Sequence, residues 1–545
     1  MKGSDLFVKC LENEGVPYIF GLPGEEMEDI LFSLEKSSIK FIPTRHEQGA
    51  AFMADMWGRL SGQAGVCLST LGPGASNLVT GVADANLDKS PLVAISAQAG
   101  LQKLHKESHQ YLDLVELFAP ITKWNGAISN VQVIPEVVRK AFKMAESEKP
   151  GATHIEFSED VAAMETEGEP ILSKRVRRPD PDDSALEEAV TLLKKANFPM
   201  IIAGNGAVRK LASQQLTELV KKHNIPVAHT FMGQGAVLDS QAQSLFSIGF
   251  GFRDIVMDAV DRADVVLAVG YDIAEYAPDA WNPKKTKQII HIDFTPAEVY
   301  THYQPKVEIV ADIPATLKAL NQKLDGNVCF NDSWYQPIRE RIIEDRKSYV
   351  LHEGAGFTVP GVLNILQSIM RNDDLLISDV GSHKIWIARN FSACCPNGCI
   401  ISNGLASMGI ALPGAVAAAL HSPDRRIVAA MGDGGFLMNS QELETAKRLN
   451  LGFTVIIFND NDYGLISWKQ QMSRSRSTGT KITNPDFKAY AESFGIKSYR
   501  PSGVRELTEK LMRSLSLKEL CVFEIPIDVS VNQELIKKLE IMHDH

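Results

Sequence analysis

The feature that most constrains the fold is an alternation, repeated through three blocks, of short unbroken apolar runs with helical patterns. The first block carries Tyr18–Phe20, Gly65–Leu68 and Leu92–Ile95, and closes on "EKPGATHIEFSEDV" (148–161). The second holds "FPMIIAGNGA" (198–207), "ADVVLAVGYD" (263–272) and "KQIIHIDFTP" (287–296). The third holds "DDLLISDVGSHKIW" (373–386), "RRIVAAMGDGG" (425–435), "FTVIIFNDNDYG" (453–464) and "LCVFEIPID" (520–528). Runs apolar on both faces belong inside parallel sheets, and strands alternating with helices imply right-handed crossovers. The expected fold class is therefore α/β, with three doubly wound parallel-sheet domains. Expected boundaries are 1–164, 184–325 and 356–530, with 531–545 as a tail. A surface linker rich in Pro and both charges (165–189) and a polar helical connector (316–355) separate the blocks. A length of 545 residues suits three or four domains.

Charge and composition exclude several partners. The formal net charge is −11, with no long basic run, which argues against nucleic acid or an anionic membrane. The N-terminal segment scatters charges among Leu6, Phe7, Cys10 and Leu11 at helical spacing, the pattern of an amphipathic helix rather than a signal peptide. The nearly uncharged run Gly404–Leu420 is short for a bilayer and contains Pro413, so a buried helix is expected there. Seven cysteines, including Cys394, Cys395 and Cys399, lack framework or metal-ligand spacing and are expected to be reduced thiols in a cytoplasmic protein.

One stretch is chemically odd. In "MGDGGF" (431–436) a carboxylate, Asp433, stands among Gly432, Gly434 and Gly435, directly after an apolar run. Glycines there let backbone N–H groups approach a phosphate, and a following helix N-terminus adds a favourable dipole, but a negative charge opposes both. The next apolar run ends in Asn459-Asp460-Asn461-Asp462, leaving room for one βαβ unit. Asn439 and Glu442 suggest a capping box for its helix, expected from about Gln441 to Asn450. Both acids would then lie at the carboxyl edge of neighbouring strands, where a hard cation such as Mg²⁺ bridges carboxylates and phosphates. A turn or capping role for Asp433 is the bland alternative.

"GDGGF" followed by "NDNDYG" resembles the metal and diphosphate motif of thiamine-diphosphate (ThDP) enzymes. The resemblance implies Asp433, Asp460 and the backbone carbonyl of Asp462 as Mg²⁺ ligands. "PTRHEQGAAFMADMWGRLSG" (43–62) resembles the segment carrying the family's cofactor-activating glutamate, here Glu47. That glutamate would bond the pyrimidine ring nitrogen of a cofactor held mainly by a partner subunit, and needs a desolvated setting that raises its pKa. "STLGPGASNLVTGVADA" (69–85) resembles the glycine-rich loop near the substrate. "DVGSHKIW" implies diphosphate contacts from Gly381, Ser382 and His383, and "SNGLASMGIALPGA" makes Met408 the wedge that bends the cofactor. Further contacts are implied for Pro23, Ala406, Tyr463 and Leu465. The three blocks become, in order, the pyrimidine-binding, central and diphosphate-binding domains.

The choice of reaction rests on finer resemblance. The family's simple decarboxylases carry a His-His pair and a Glu after the metal motif. This chain has "SHQY" (108–111) and "YGLISWKQ" (463–470), without either. "SHQYLDLVELFAPITK", "GYDIAEYAPDAWNP" and "HYQP" resemble acetolactate synthases of the catabolic, flavin-independent branch. That implies decarboxylation of pyruvate and ligation to a second pyruvate, with Gln110 near the acceptor. FAD is left open but not favoured: no Arg lies in Val269–Asp272, and "AGNGA" is a weak nucleotide motif that more simply closes a turn. Trp468 and Lys469 depart from the catabolic pattern in a specificity segment. Another ThDP carboligase or decarboxylase, or an FAD-dependent pyruvate oxidase, stays as an alternative. Homodimer and homotetramer are equally compatible, with active sites between subunits.

Overall fold

A computed structural model describes residues 1–543 apart from 175, 210, 325 and 327. Residue 325, the expected end of the central domain, and the last two residues of the expected tail therefore lie outside it. Three six-stranded, all-parallel sheets carry the chain, as the alternation of apolar runs implies.

The N-terminal sheet comprises Tyr18–Gly21 (β1), Lys40–Pro43 (β2), Gly65–Ser69 (β3), Leu92–Gln98 (β4), Trp124–Ile128 (β5) and Ala152–Ser158 (β6). The central sheet comprises Pro199–Ala203 (β7), Val227–His229 (β8), Ser244–Ser247 (β9), Val265–Val269 (β10), Gln288–Asp293 (β11) and Val307–Val310 (β12). The C-terminal sheet comprises Leu375–Ser378 (β13), Cys399–Ile401 (β14), Ile427–Gly432 (β15), Thr454–Asn459 (β16), Lys497–Tyr499 (β17) and Cys521–Pro526 (β18). Strands β3, β4, β7, β10 and β13 are buried at every position, which explains their unbroken apolar character.

Strand order distinguishes the sheets. The N-terminal order is β2-β1-β3-β4-β6-β5, and the C-terminal order, β14-β13-β15-β16-β18-β17, repeats it strand for strand. The central order, β12-β11-β10-β7-β8-β9, is the six-strand dinucleotide-binding arrangement read from the other edge. Yet its first turn is filled by the chain itself. A Cβ at Gly204 would lie 2.5 Å from the Gly270 carbonyl oxygen, and one at Gly206 would lie 2.6 Å from the Gly270 Cα. The two glycines of "AGNGA" thus close a backbone-to-backbone turn, as expected.

The N- and C-terminal units meet through helices Glu47–Ser61 and Ala411–His421, the second being the buried helix expected from the Gly404–Leu420 run. Small residues make the close approach: Ala50, Ala51, Ala54, Ala415 and Ala418 are all inaccessible. Beside them Arg59 is bound by three buried carboxylates, Asp55 at 2.8 Å, Asp84 at 3.1 Å and Asp88 at 2.6 Å.

Two local expectations need correction, and the expectation of unpaired cysteines does not. The polar connector is not one unit: helix Ile313–Lys323 packs on the central domain's helices, and Gln336–Lys347 forms a separate helix. The expected tail is a helix, Ser530–His543, that buries Val531, Leu535 and Leu539 and accepts the Trp386 indole N–H at Asn532, 2.7 Å away. All seven cysteines are free thiols.

Candidate active site

The C-terminal sheet reverses its strand order between β13 and β15, and ligands of open α/β sheets bind at the carboxyl edge of such a switch. A cavity of about 250 Å³ lies there. It is lined by Gly381, Ser382 and His383 after β13, by Gly432, Asp433, Gly434 and Gly435 after β15, and by Asp460, Asp462, Tyr463 and Leu465 after β16. Ala406 and Met408 complete the wall. Every residue expected to touch diphosphate, wedge or metal is thus gathered in one place, although the three strands are separated by tens of residues.

Local structure explains the gathering. Gly432 pairs with Phe458, so β15 and β16 end together and deliver Asp433 and Asp460 side by side. Asp433 opens a helix, Asp433–Asn439, and a second helix, Glu442–Arg448, follows, where a single helix from Gln441 was expected. The capping box does not form. Asn439 ends the first helix and donates to the Gly409 carbonyl at 2.9 Å, while Glu442 accepts from the Arg45 backbone at 3.0 Å. Both side chains are drawn into tertiary contacts that their spacing cannot reveal.

The carboxylates form a charged end to the cavity. Asp433 accepts from the backbone N–H of Asn461 at 2.8 Å and from the Asn484 amide at 2.6 Å. Burial raises its pKa. Burial and then the neighbouring Asp433 carboxylate push Asp460 up to about 7. At Asp462 burial is overcome by hydrogen bonds and the Lys481 ammonium, 3.1 Å away, and its pKa falls. Asp433 and Asp460 are therefore two oxygen donors crowded together, and an oxygen-only set suits Mg²⁺. Among the described residues no three His, Cys, Asp or Glu side chains converge as a metal cluster.

The phosphate end of the cavity is shaped by glycine and helix N-termini. A Cβ at Gly434 would lie 2.9 Å from the Tyr463 ring, so only glycine lets that ring close the wall. Helix Ser382–Asn390 starts at the cavity and offers its first N–H groups to an anion. His383 is buried, its Nε2 has no partner among the described residues, and burial lowers its pKa to about 3, so the ring is neutral. These features, glycine-lined, N–H-rich and acid-ended, fit a magnesium diphosphate group.

Pro23, Glu47 and Gln110 do not line this cavity. They lie together at the carboxyl edge of the N-terminal sheet, following β1, β2 and β4. Glu47, at the first position of its helix, is 4% exposed and accepts from the Asn77 amide at 3.0 Å. Gln110 takes a left-handed backbone, φ 58°, with its own backbone packed against Gly72. Of the specificity segment, Leu465 and Ile466 line the cavity, whereas Trp468 turns inward onto Trp386 and Phe252. Trp468 is a core residue, which its sequence position could not show.

Other residues at the site escaped the sequence reading. Asp379 is buried, accepts from the N–H groups of Val380, Gly409 and Ala411, and anchors the Met408 loop; burial raises its pKa to about 6. Asp84 and Asp88 grip the same loop from the N-terminal unit, accepting from Ser402 Oγ at 3.0 Å and Gly404 N–H at 2.6 Å. Asn484 braces Asp433 from fifty residues downstream, and Asp528, Val531 and Asn532 bring the C-terminal helix to the cavity. Only Asp379 carried a sequence signal, as an acid ending an apolar strand.

Comparison with known proteins agrees with this geometry. Residues 1–117 match the N-terminal TPP binding domain of thiamine pyrophosphate enzymes, 186–320 their central domain and 379–525 their C-terminal TPP binding domain. The chain is 34% identical to acetolactate synthase of Bacillus subtilis (strain 168), covering 98% of this chain and 94% of that protein. It is 34% identical to the catabolic acetolactate synthase of Raoultella terrigena, covering 99% and 97%. A probable acetolactate synthase large subunit of Methanocaldococcus jannaschii is also 34% identical, covering 97% and 92%. With three domains in the family's order and full-length relatives at one-third identity, this chain belongs to the thiamine pyrophosphate enzyme family, close to acetolactate synthases.

Proposed function

We propose that this enzyme is an acetolactate synthase: it decarboxylates pyruvate and joins the remaining two-carbon unit to a second pyruvate, giving 2-acetolactate and CO₂. The observation that carries the reading is the single cavity that collects every expected diphosphate, wedge and metal residue in a chain with full-length acetolactate synthase relatives. Bound ThDP would supply the electron sink for loss of CO₂ from a 2-oxo acid. Asp433, Asp460 and the Asp462 carbonyl would hold Mg²⁺, and Gly381, Ser382, His383, Gly432, Gly434 and Gly435 would bind the diphosphate. Ala406, Met408, Tyr463 and Leu465 would seat the rest of the cofactor.

Glu47 would hold and return a proton at the pyrimidine ring nitrogen, with Pro23 beside it and Gln110 facing the acceptor. Because these three sit at a different sheet edge from the cavity, we assign them to the cavity of a partner subunit. The smallest competent unit is then a homodimer, and a homotetramer would contain two. We read the enzyme as independent of FAD, supported by the turn at Gly204 and Gly206 that the chain's own backbone fills. A catabolic role in the cytoplasm follows the resemblance to the catabolic branch.

The test is incubation with pyruvate, ThDP and Mg²⁺, with and without FAD, assaying 2-acetolactate and acetaldehyde together. Acetolactate as main product, unchanged by FAD, is expected. Acetaldehyde in its place would make the protein a decarboxylase, and activity only with FAD would overturn the flavin-independent reading.

A further inference from the structure

A second cavity, of about 890 Å³, opens between the central and C-terminal units. It shares no lining residue with the ThDP cavity. Its charge runs against that of the chain. Arg339, Arg346 and Lys347 line it with Asp239 as the one acid, a formal balance of +2 in a protein of net −11. Asp239 is already engaged, accepting from Ser244 and Ser392 and pairing with Arg346 and His229.

The two arginines are held in place rather than left to solvent. The Arg346 and Arg339 guanidinium carbons lie 4.2 Å and 5.3 Å from the centroid of the Phe246 ring. Phe246 itself has φ 63°, a left-handed backbone that a bulky side chain adopts only when its surroundings impose it, and such strain clusters at functional sites. Arg339 is buried and, among the described residues, donates only to the backbone carbonyls of Asp239 and Gln241 and leaves Nε without a partner. Asn390, also on the lining, is 3% exposed, and neither end of its amide has a partner among the described residues. Two guanidinium groups on one ring, facing one carboxylate, leave positive charge that a bound anion would neutralise. Beside them Ile343 and Val350 provide an apolar strip.

We propose that this cavity binds a small organic anion, a carboxylate or phosphate headgroup on a compact aliphatic body, at a site separate from the ThDP cavity. Arg339 and Lys347 supply the free positive charge, and Ile343 and Val350 receive the body.

The experiment titrates the ThDP–Mg²⁺ holoenzyme with butyrate and, separately, with inorganic phosphate by calorimetry. One saturable site per chain is expected, and the tighter arm identifies the headgroup. Lys347→Gln, at an exposed position, and Arg339→Gln should each weaken binding at least tenfold. Glu47→Gln should leave it unchanged, which separates this site from the catalytic one and from the fate of the acetolactate synthase reading. Absence of saturable binding in both arms would overturn the proposal. So would equal affinity in the folded Lys347→Gln variant, or loss of binding in Glu47→Gln.

Discussion

Counted from the first strand of each, the N-terminal and C-terminal sheets share one order, and both present their chemistry at the carboxyl edge. The segment after the third strand is Leu71–Gly74 in one and Asp433–Gly435 in the other, a glycine turn into a helix in both cases. The segment after the second strand leads to Glu47 in one and to the Ala406–Met408 loop in the other. One edge carries the buried Glu47 carboxyl with an amide partner, and the other carries crowded carboxylates around a glycine-lined cavity. On the proposed reading a single scaffold serves proton handling at one end and metal-anchored anion binding at the other, and the difference lies in a few residues on the strand-to-helix turns.

Breaking the N-terminal half should cost most. Glu47→Gln keeps the shape and the Asn77 contact but removes the proposed proton carrier, so kcat for acetolactate formation should fall about 10²–10⁴-fold with unchanged circular dichroism. Breaking the C-terminal half should act on cofactor loading instead. Asp433→Ala removes a proposed Mg²⁺ ligand, and the concentrations of Mg²⁺ and ThDP for half-maximal activity should rise at least about tenfold. If the two edges meet across subunits, mixing and refolding these two variants should restore activity at low Mg²⁺ and ThDP, where each alone is nearly inactive, because a hybrid dimer regains one intact site. A mixture as inactive as its components would place both halves in one chain.

Smaller changes sharpen the same comparison. Gly434→Ala pushes a methyl against the Tyr463 ring and should weaken ThDP binding several-fold, about 1 kcal/mol or more, read by fluorescence titration. His154, the third residue of β6, corresponds by position to Phe523, the third residue of β18. Burial holds the His154 pKa at about 3, below its unfolded value near 6.5. The native state therefore binds fewer protons than the unfolded chain between those values. This contribution to stability is intact above about pH 6.5 and declines as pH falls, by about 2 kcal/mol at pH 5. His154→Phe, which keeps the ring stacked on Phe118, should lose correspondingly less stability between pH 7.5 and pH 5 in urea titrations.

Much of this was legible before the structure, for a definite reason. Asp433 and Asp460 could be paired because one βαβ unit fixes where two successive strand ends fall. The glycine contacts followed from the same turn. Where reasoning failed, a distant partner had intervened. Asn439 and Glu442 fit a capping box, but Gly409 and Arg45 compete for them. Trp468 lies in a cavity-forming segment, but Trp386 and Phe252 take it into the core. The last helix reads as a tail because its burial depends on Trp386 and neighbours more than a hundred residues away.

The sequence by itself determined the local units: buried strands, glycine turns, and the residue types at each strand end, all set by interactions within some thirty residues. Only the tertiary structure decided that the first and third sheets share one order, that Asp84, Asp88 and Asp379 hold the Met408 loop, and that Glu47 and the diphosphate cavity occupy separate edges. Those outcomes depend on which surfaces pack together, and packing joins residues hundreds of positions apart without leaving a periodic mark on the chain.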